Sequence, residues 1–438
     1  GKPVWTAWNW TGPIVGVERF RLVSDSAVRQ LKVAASGDLI VGGWSDGGNS
    51  CFLNQPYDLT IRRKASKFGD STWGAGVLSV AHIMKLDSQT MELANRIEDV
   101  LAALPADLQM AIKPELMQSY LEINTGVCQT VAEAGDDLRA KLQAVESSVN
   151  PLGILLFWGA SHPYSSWRDQ KITVDERYYR LVDLMQDVAR RLLTFGLHVH
   201  VGVETGDKAV HVCDRMMKYL PLLLSLSSNS PFWEGRNTGL HSNRSKIMEG
   251  LPTAGLPHRM RNWSEYVWLI NHLKSTGFIN SIREIWWDIR PHHNFGTVEV
   301  RICDMPASLN HVLAITALVQ CLVTAISLEI DQGTFQMDYH PMMVQQNKWR
   351  ATRYGADAEL VSTTDFAQRS VQQVTDGLVK RLKPIARDLN CESELESLRD
   401  VPASAGARQQ LALFDETGSR KEVVRRMIGQ NHWTRESA

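Results

Sequence analysis

The chain lacks a surplus of charge of either sign: 47 basic residues meet 48 acidic ones, for a formal net charge of −1. No Lys/Arg-rich run or basic arm appears, so the electrostatic footprint of a nucleic-acid binder is missing. Cysteine is scarce and scattered. Cys51, Cys128, Cys213, Cys303, Cys321 and Cys391 form no CxxC pair and no short Cys–His spacing, which points to reduced thiols in a cytoplasmic protein. Gly1–Trp10 lacks the charged, apolar and small-residue order of a secretory signal. The glycines of GGWSDGG (42–48) are followed by no Lys-Ser/Thr pair, so a turn is expected there and not a phosphate-cradling loop. Charge is absent from Val312–Leu328, a run near the lower length limit for crossing a bilayer. Thr316, Gln320, Thr324 and Ser327 interrupt it and a polar strand motif precedes it, so a buried core helix is expected, with no membrane partner.

What the chain does have is length for one or two domains with a sizeable core, and an ordinary 44% apolar content. Four segments place apolar side chains at one parity and polar or ionisable groups at the other. Gln118–Asn124 sets Gln118, Tyr120, Glu122 and Asn124 against Ser119, Leu121 and Ile123. In Leu197–Val203, His198, His200 and Gly202 alternate with leucine and valines. Ile285–Arg290 sets Trp286, Asp288 and Arg290 against Ile285, Trp287 and Ile289, and Thr297–Cys303 sets Glu299 and Arg301 against Val298, Val300 and Ile302. Successive side chains of a strand leave opposite faces, so each segment has a packed face and a chemical face.

Further strands are expected at Leu78–Leu86 and Ile154–Trp158. Helical spacing marks about 93–104, 131–145, 175–195 with Gly196 as its C-terminal cap, 211–226, 263–274, 312–328, 366–389 and 405–428. The closely spaced strands at 285–290 and 297–303 suit an antiparallel hairpin. The class is therefore α+β: an antiparallel sheet with a concave active-site face, helices packed on its other side, and a helical C-terminal region. Residues 1–73, with Trp5, Trp8, Trp10 and Trp44 among short strands and turns, form an N-terminal extension of unknown role. Residues 74–438 form the main domain, with 330–438 as a helical tail.

His198 and His200 leave one face of a strand, where a pair of imidazoles can hold a cation or contact phosphate oxygens. Glu122 is a hard oxygen ligand suited to Mg²⁺. Asp288, Arg290, Glu299 and Arg301 fit bidentate recognition of carboxylate or phosphate, although a salt-bridged surface hairpin has the same pattern. The loop at 227–244 carries Arg236, Thr238 and Arg244, residues able to hold the anionic end of a substrate.

HVHVGV (198–203), SLSSNSPFWEGRNTGLHSNR (225–244) and WDIRPHHNFGTVEVRICD (287–304) together resemble the glutamate–cysteine ligase type 2 family. ELMQSYLEINTGVC (115–128), GASHPYSSWRDQKITVDERYYRL (159–181) and NKWRATRYG (347–355) extend the resemblance in the same order, over roughly 76–430. It implies a glutamine-synthetase-like sheet and a carboxylate–amine ligase. Such an enzyme uses ATP and Mg²⁺ to activate glutamate, or a similar carboxylate, as an acyl phosphate that an amine such as cysteine attacks. By motif position it implies Glu122, His198, His200 and Glu299 as metal ligands. Arg290, Arg301 and Glu299 become the catalytic set, and His162, Arg168, Arg236, Thr238, Arg244, Asp288 and Arg353 the substrate and nucleotide set. Small-molecule substrates are thus the expected partners, with a homo-oligomer open.

One departure stands out. The family opens on a Gly-Val-Glu-x-Glu-like strand whose carboxylates bind metal, and in LSVAHIMKLD (78–87) Val80 and His82 occupy those two places. GVERF (16–20) offers Glu18 instead, at the cost of a large insertion before Glu122. With the carboxylates lost, a catalytically impaired homologue that binds a nucleotide or amino acid is the alternative reading.

Overall fold

The structure is a computed structural model that describes residues 19–24, 27–33, 39–43, 74–334, 340–363 and 365–430. Gly1–Lys67 and Phe68–Ala438 make two compact units. In the first, β1 (Arg19–Ser24), β2 (Ala27–Val33) and β3 (Leu39–Gly43) form an antiparallel sheet with β2 in the middle. Glu18, Cys51, the four N-terminal tryptophans and 44–48 of the glycine-rich stretch lie outside the described residues.

The second unit is built on a seven-stranded sheet of β4 (Val77–Asp87), β5 (Ile112–Pro114), β6 (Tyr120–Asn124), β7 (Ile154–Phe157), β8 (Leu197–Gly202), β11 (Ile289–His292) and β12 (Thr297–Val300). Two short hairpins stand apart from it: β9 (Phe232–Trp233) with β10 (Arg236–Asn237), and β13 (Glu359–Val361) with β14 (Gln368–Ser370). The sheet order is β11-β12-β8-β4-β6-β5, with β7 also paired to β4, and every pairing is antiparallel. This is the expected α+β class.

Register fixes the chemistry, because residues directly opposite in an antiparallel pair share a face. Arg290 faces Glu299, Glu299 faces His200, and Leu78 faces His200 from the other side. Val80 lies between His198 and Asn124, and His82 faces Glu122. One sheet surface thus collects Arg290, Glu299, His200, His198, Val80, His82, Glu122 and Asn124. The opposite parity supplies Ala81, Ile123, Val199, Val201, Val298 and Val300, all fully buried.

The helix Leu309–Asp331 packs against that apolar surface, where Thr316 Oγ1 lies 3.2 Å from Ser79 Oγ of β4. Leu313, Leu318, Leu322 and Ile326 are all buried, as a charge-free core helix requires. The neighbouring helix Val131–Val149 begins with a Thr130–Glu133 capping box. It approaches so closely that a Cβ on Gly135 would meet Leu313 Cδ1 at 2.8 Å.

Several expected elements are shorter or broken. The 175–195 helix exists as Glu176–Met185 and Asp187–Arg190, parted at Gln186, whose φ is 49°. Gly196 caps no helix: Phe195 donates to Ala160 O, and Gly196 bridges Asp304 in extended backbone. The demand of buried Leu193 and Phe195 for the core outweighs the helical spacing there. The 211–226 helix starts earlier, at Gly206, and breaks at Met217–Tyr219 ahead of Pro221, which lacks the N–H a continuous helix needs. The strand expected at 285–290 begins only at Ile289, because the Trp286 and Asp288 amides donate to Thr253 O and Gly255 O. Gly418, at φ 63°, divides the last helical stretch into Gly406–Thr417 and Arg420–Gln430.

Candidate functional site

The chemical face of the sheet carries two clusters joined through His198. The first centres on Glu299. Arg290 Nε donates to Glu299 Oε2 at 2.7 Å, and Arg301 donates to Oε1. His200 Nε2 and His198 Nδ1 stand 3.7 and 3.8 Å from the same Oε1. Burial alone would raise the Glu299 pKa, but the two guanidiniums overcome it and hold the carboxyl well below the carboxylate range. Arg290 is spent within the fold, since its Nη1 also donates to Ile282 O and Ile285 O. Arg301 is the more open of the two arginines, with its side chain 14% exposed.

In this arrangement three of the expected metal ligands have protein partners. Glu299 is already charge-compensated by two arginines. His198 Nδ1 accepts from Arg301 Nη1 at 3.4 Å, which occupies that lone pair, and His200 Nδ1 is taken by Thr297 Oγ1 at 3.0 Å. Burial pushes both imidazoles below the usual histidine range, His200 to about 4, so both are neutral at pH 7. Glu299, His198 and His200 come together here with Arg290 and Arg301 as an arginine–carboxylate–imidazole array.

The second cluster is where a cation fits. Among the described residues, one group of His, Cys, Asp and Glu side chains brings ligand atoms within 4.8 Å of one another: His82, Glu115 and Glu122. His82 Nδ1 lies 2.7 Å from Gly196 O. A carbonyl only accepts, so Nδ1 carries the proton and Nε2 presents its lone pair, 3.7 Å from Glu122 Oε2. Asn124 Nδ2 donates to Glu122 Oε1 at 2.7 Å and turns the other oxygen toward His82. Burial, and then the neighbouring Glu122 carboxylate, push the Glu115 carboxyl up to about 8. Burial and the Arg301 and Arg244 charges outweigh Glu122 and lower the His82 pKa, keeping the ring neutral. Two half-buried carboxyls beside a neutral imidazole form a donor set that a cation could share. The His82 ring is 4.7 Å from that of His198, which joins the two clusters.

Of the expected metal ligands, then, only Glu122 lies in this group. Val80 points to the same face but opposes Asn124 and His198, so an apolar side chain stands beside the cluster and His82 is the residue directly across from Glu122. Glu115 was missed because it precedes the alternating segment and sits in no strand. Its signal was its place in ELMQSYLEIN ahead of Glu122.

The substrate and nucleotide set is more dispersed than expected. His162 is fully engaged in the fold: Nε2 donates to Met91 O at 3.0 Å while Nδ1 accepts from Ser165 N at 2.9 Å. Arg244 is buried and donates to Ile302 O and Arg301 O, with Asp304 3.8 Å away, so it pins the 228–244 loop and is not available to an anion. The Asp288 carboxylate is paired with Lys348 at 2.6 Å, and so leaves the arginine array. Arg168 pairs with Glu234, and the Thr238 hydroxyl donates to Pro231 O within the loop. Arg236 is exposed on β10. Arg353 is half-buried, 4.9 Å over the Tyr354 ring.

The chain is similar to known proteins. Residues 82–430 match the model of the glutamate-cysteine ligase family 2. A protein named "Putative glutamate--cysteine ligase 2" from Gloeobacter violaceus is 42% identical over 319 residues, 73% of this chain and 86% of that protein. One named "Putative glutamate--cysteine ligase 2-1" from Frankia casuarinae is 44% identical over 314 residues, 71% of this chain and 82% of that one. Among solved structures, a glutamate–cysteine ligase from Francisella tularensis in complex with AMP superposes with a TM-score of 0.61 at 13% identity, over 81% of this chain and 89% of that one. A bifunctional glutathione synthetase from Pasteurella multocida gives 0.59 at 14% identity, over 81% and 52%. At such identities the two structures speak to the fold, which they share.

Proposed function

This chain belongs to the glutamate–cysteine ligase family 2, and on that footing we propose that it is an ATP-dependent carboxylate–amine ligase. A carboxylate of the glutamate type attacks the γ-phosphorus of ATP, releasing ADP and leaving an acyl phosphate. An amine then attacks the acyl carbon, and inorganic phosphate departs with both electrons of the C–O bond. The observation that carries this reading is the Glu299 array. A buried carboxylate fixes Arg301, and through it the position of a cationic head on the polar side of the sheet, and two neutral imidazoles line the same face.

Each part has a task in phosphoryl transfer, where positioning and charge stabilisation do most of the work. Arg301 suits the equatorial oxygens of the transferred group, with Glu299 holding its planar fork in one orientation. His198 and His200, neutral at pH 7, orient by hydrogen bonding and add no charge of their own. A divalent ion held by His82, Glu115 and Glu122 would offset phosphate charge. The amine substrate is of the cysteine type by family likeness, as the names of the relatives suggest.

The experiment is turnover of purified protein with ATP, glutamate, a panel of amino acids and one divalent ion at a time. ADP release that requires both the carboxylate and an amine, with the amide product seen by mass spectrometry, supports the ligase. A second reading rests on Val80 and His82 standing at the carboxylate positions: a homologue that binds nucleotide or amino acid without turning over. Saturable ATP binding with no ADP release under any ion favours that reading and ends the first.

A further inference from the structure

We propose that the His82–Glu115–Glu122 cluster selects a borderline transition-metal ion over Mg²⁺. The inference deepens the ligase reading by naming the ion of its site, and it rests on that reading only for what the ion is used for.

The geometry supplies a mixed donor set. Mg²⁺ takes oxygen ligands in near-ideal octahedral geometry and keeps much of its water. Here one of the three donors is an imidazole nitrogen, and imidazole favours the later first-row divalent ions over Mg²⁺. The nitrogen is prepared for that task. His82 is 7% exposed, its Nδ1 is tied to Gly196 O at 2.7 Å, and Nε2 faces Glu122 with no hydrogen-bond partner among the described residues. An imidazole whose far nitrogen donates to a backbone carbonyl is the usual supported metal ligand.

The two carboxyls are likewise supported. Asn124 fixes Glu122 Oε1, and the Leu116 amide donates to Glu115 Oε2 at 3.3 Å. Donors at right angles around an ion with bonds of about 2.1 Å lie about 3 Å apart, so the 3.7 Å between His82 Nε2 and Glu122 Oε2 closes with a small side-chain rotation. Val80, beside the cluster on the same face, adds no oxygen. The set therefore puts a nitrogen where Mg²⁺ prefers oxygen, and that nitrogen rewards a softer ion.

The test is calorimetric titration of the full chain with Co²⁺ alone and with Mg²⁺ alone, without ATP or amino acid, so its result is independent of ligase activity. Visible absorption of bound Co²⁺ reports nitrogen coordination. Co²⁺ is expected to bind 1:1 at least about a hundredfold more tightly than Mg²⁺. His82→Glu is expected to raise Mg²⁺ affinity and cut that ratio by about tenfold or more. Glu122→Gln is expected to lose the Co²⁺ site, and Glu115→Gln serves in its place if that variant fails to fold by circular dichroism. Equal affinity for the two ions, an unchanged ratio in His82→Glu, or no 1:1 binding at all overturns the proposal. A ligase active with Mg²⁺ whose Co²⁺ preference is absent would overturn this inference and leave the ligase reading standing.

Discussion

Arg290 Nε and Glu299 Oε2 meet at 2.7 Å across the β11–β12 pair, with both side chains about 95% buried or more. An ion pair so deep adds modest net stability while both partners are present, but removing one strands the other's charge. It also fixes Glu299 so that the second oxygen is free for Arg301. The pair therefore acts as the foundation of the array, and Arg301, the more open arginine, is the part that would reach a ligand in the proposed ligase.

Replacing the two arginines should separate those roles. Arg290→Met is expected to lower unfolding free energy by about 3–5 kcal/mol, because it leaves a buried carboxylate short of its partner and removes the guanidinium donor from Ile282 O and Ile285 O. Arg301→Met should cost less stability and more turnover. Urea unfolding beside steady-state kinetics decides it, and an Arg301 variant as unstable as the Arg290 variant would contradict the division.

Lys85 makes a pH-dependent prediction away from the site. It is fully buried on the apolar parity of β4, and its Nζ has no hydrogen-bond partner among the described residues. Burial pulls its pKa from 10.5 down to about 7. Between those values the unfolded chain holds a proton that the folded chain has released, so stability rises with pH across the window and the penalty is largest below about 7. Lys85→Met should add about 3–5 kcal/mol at neutral pH and flatten that rise. Unfolding free energies at pH 7 and pH 9 that keep the same difference in the variant would refute it.

Gly196 is placed where the backbone must approach closely. A Cβ there would overlap the Arg244 guanidinium, whose Cζ would stand at 2.7 Å, while the Gly196 carbonyl holds the tautomer of His82. Gly196→Ala is expected to displace Arg244 and cost about 1–3 kcal/mol through overpacking. It should also loosen His82, seen as a shift of its ring resonances in NMR. An alanine variant with wild-type stability would mean that Arg244 has room the structure does not show.

The sheet was legible because alternation survives in the residues that matter. The parity of His198 and His200, and of Glu299, reflects a sheet with one apolar and one polar face, and β8 and β12 pair just so. The Leu309–Asp331 helix was legible from its lack of charge. What escaped was what each polar group spends its hydrogen bonds on. Nothing in a sequence says that Arg244 will donate to Ile302 O and Arg301 O, or that both nitrogens of His162 are satisfied by backbone. Glu115 escaped for another reason, since it reaches Glu122 from outside any strand, where periodicity gives no direction. The break at Gln186 is a tertiary effect that local spacing cannot carry.

Asp304 yields the last prediction. Its carboxylate is fully buried and gathers the 228–244 loop: Asn229 N donates to Oδ2 at 2.9 Å, Ser230 Oγ to Oδ2 at 2.7 Å and Ser242 Oγ to Oδ1 at 2.8 Å. Arg244 stands 3.8 Å away as the compensating charge. An asparagine in its place would have one acceptor oxygen where the carboxylate has two. Serine hydroxyls can rotate to accept from the amide, but the Asn229 N–H cannot, so the oxygen must face Asn229 and Arg244 loses its counter-ion. Asp304→Asn should therefore cost about 2–4 kcal/mol. The loss should be concentrated in the loop, with faster amide exchange at 228–244 while β4 and β8 keep their protection. If exchange accelerates evenly across the sheet, Asp304 supports the whole core and not the loop. If it does not accelerate at all, the hydrogen bonds it accepts are not what holds the loop that carries Arg236 and Thr238.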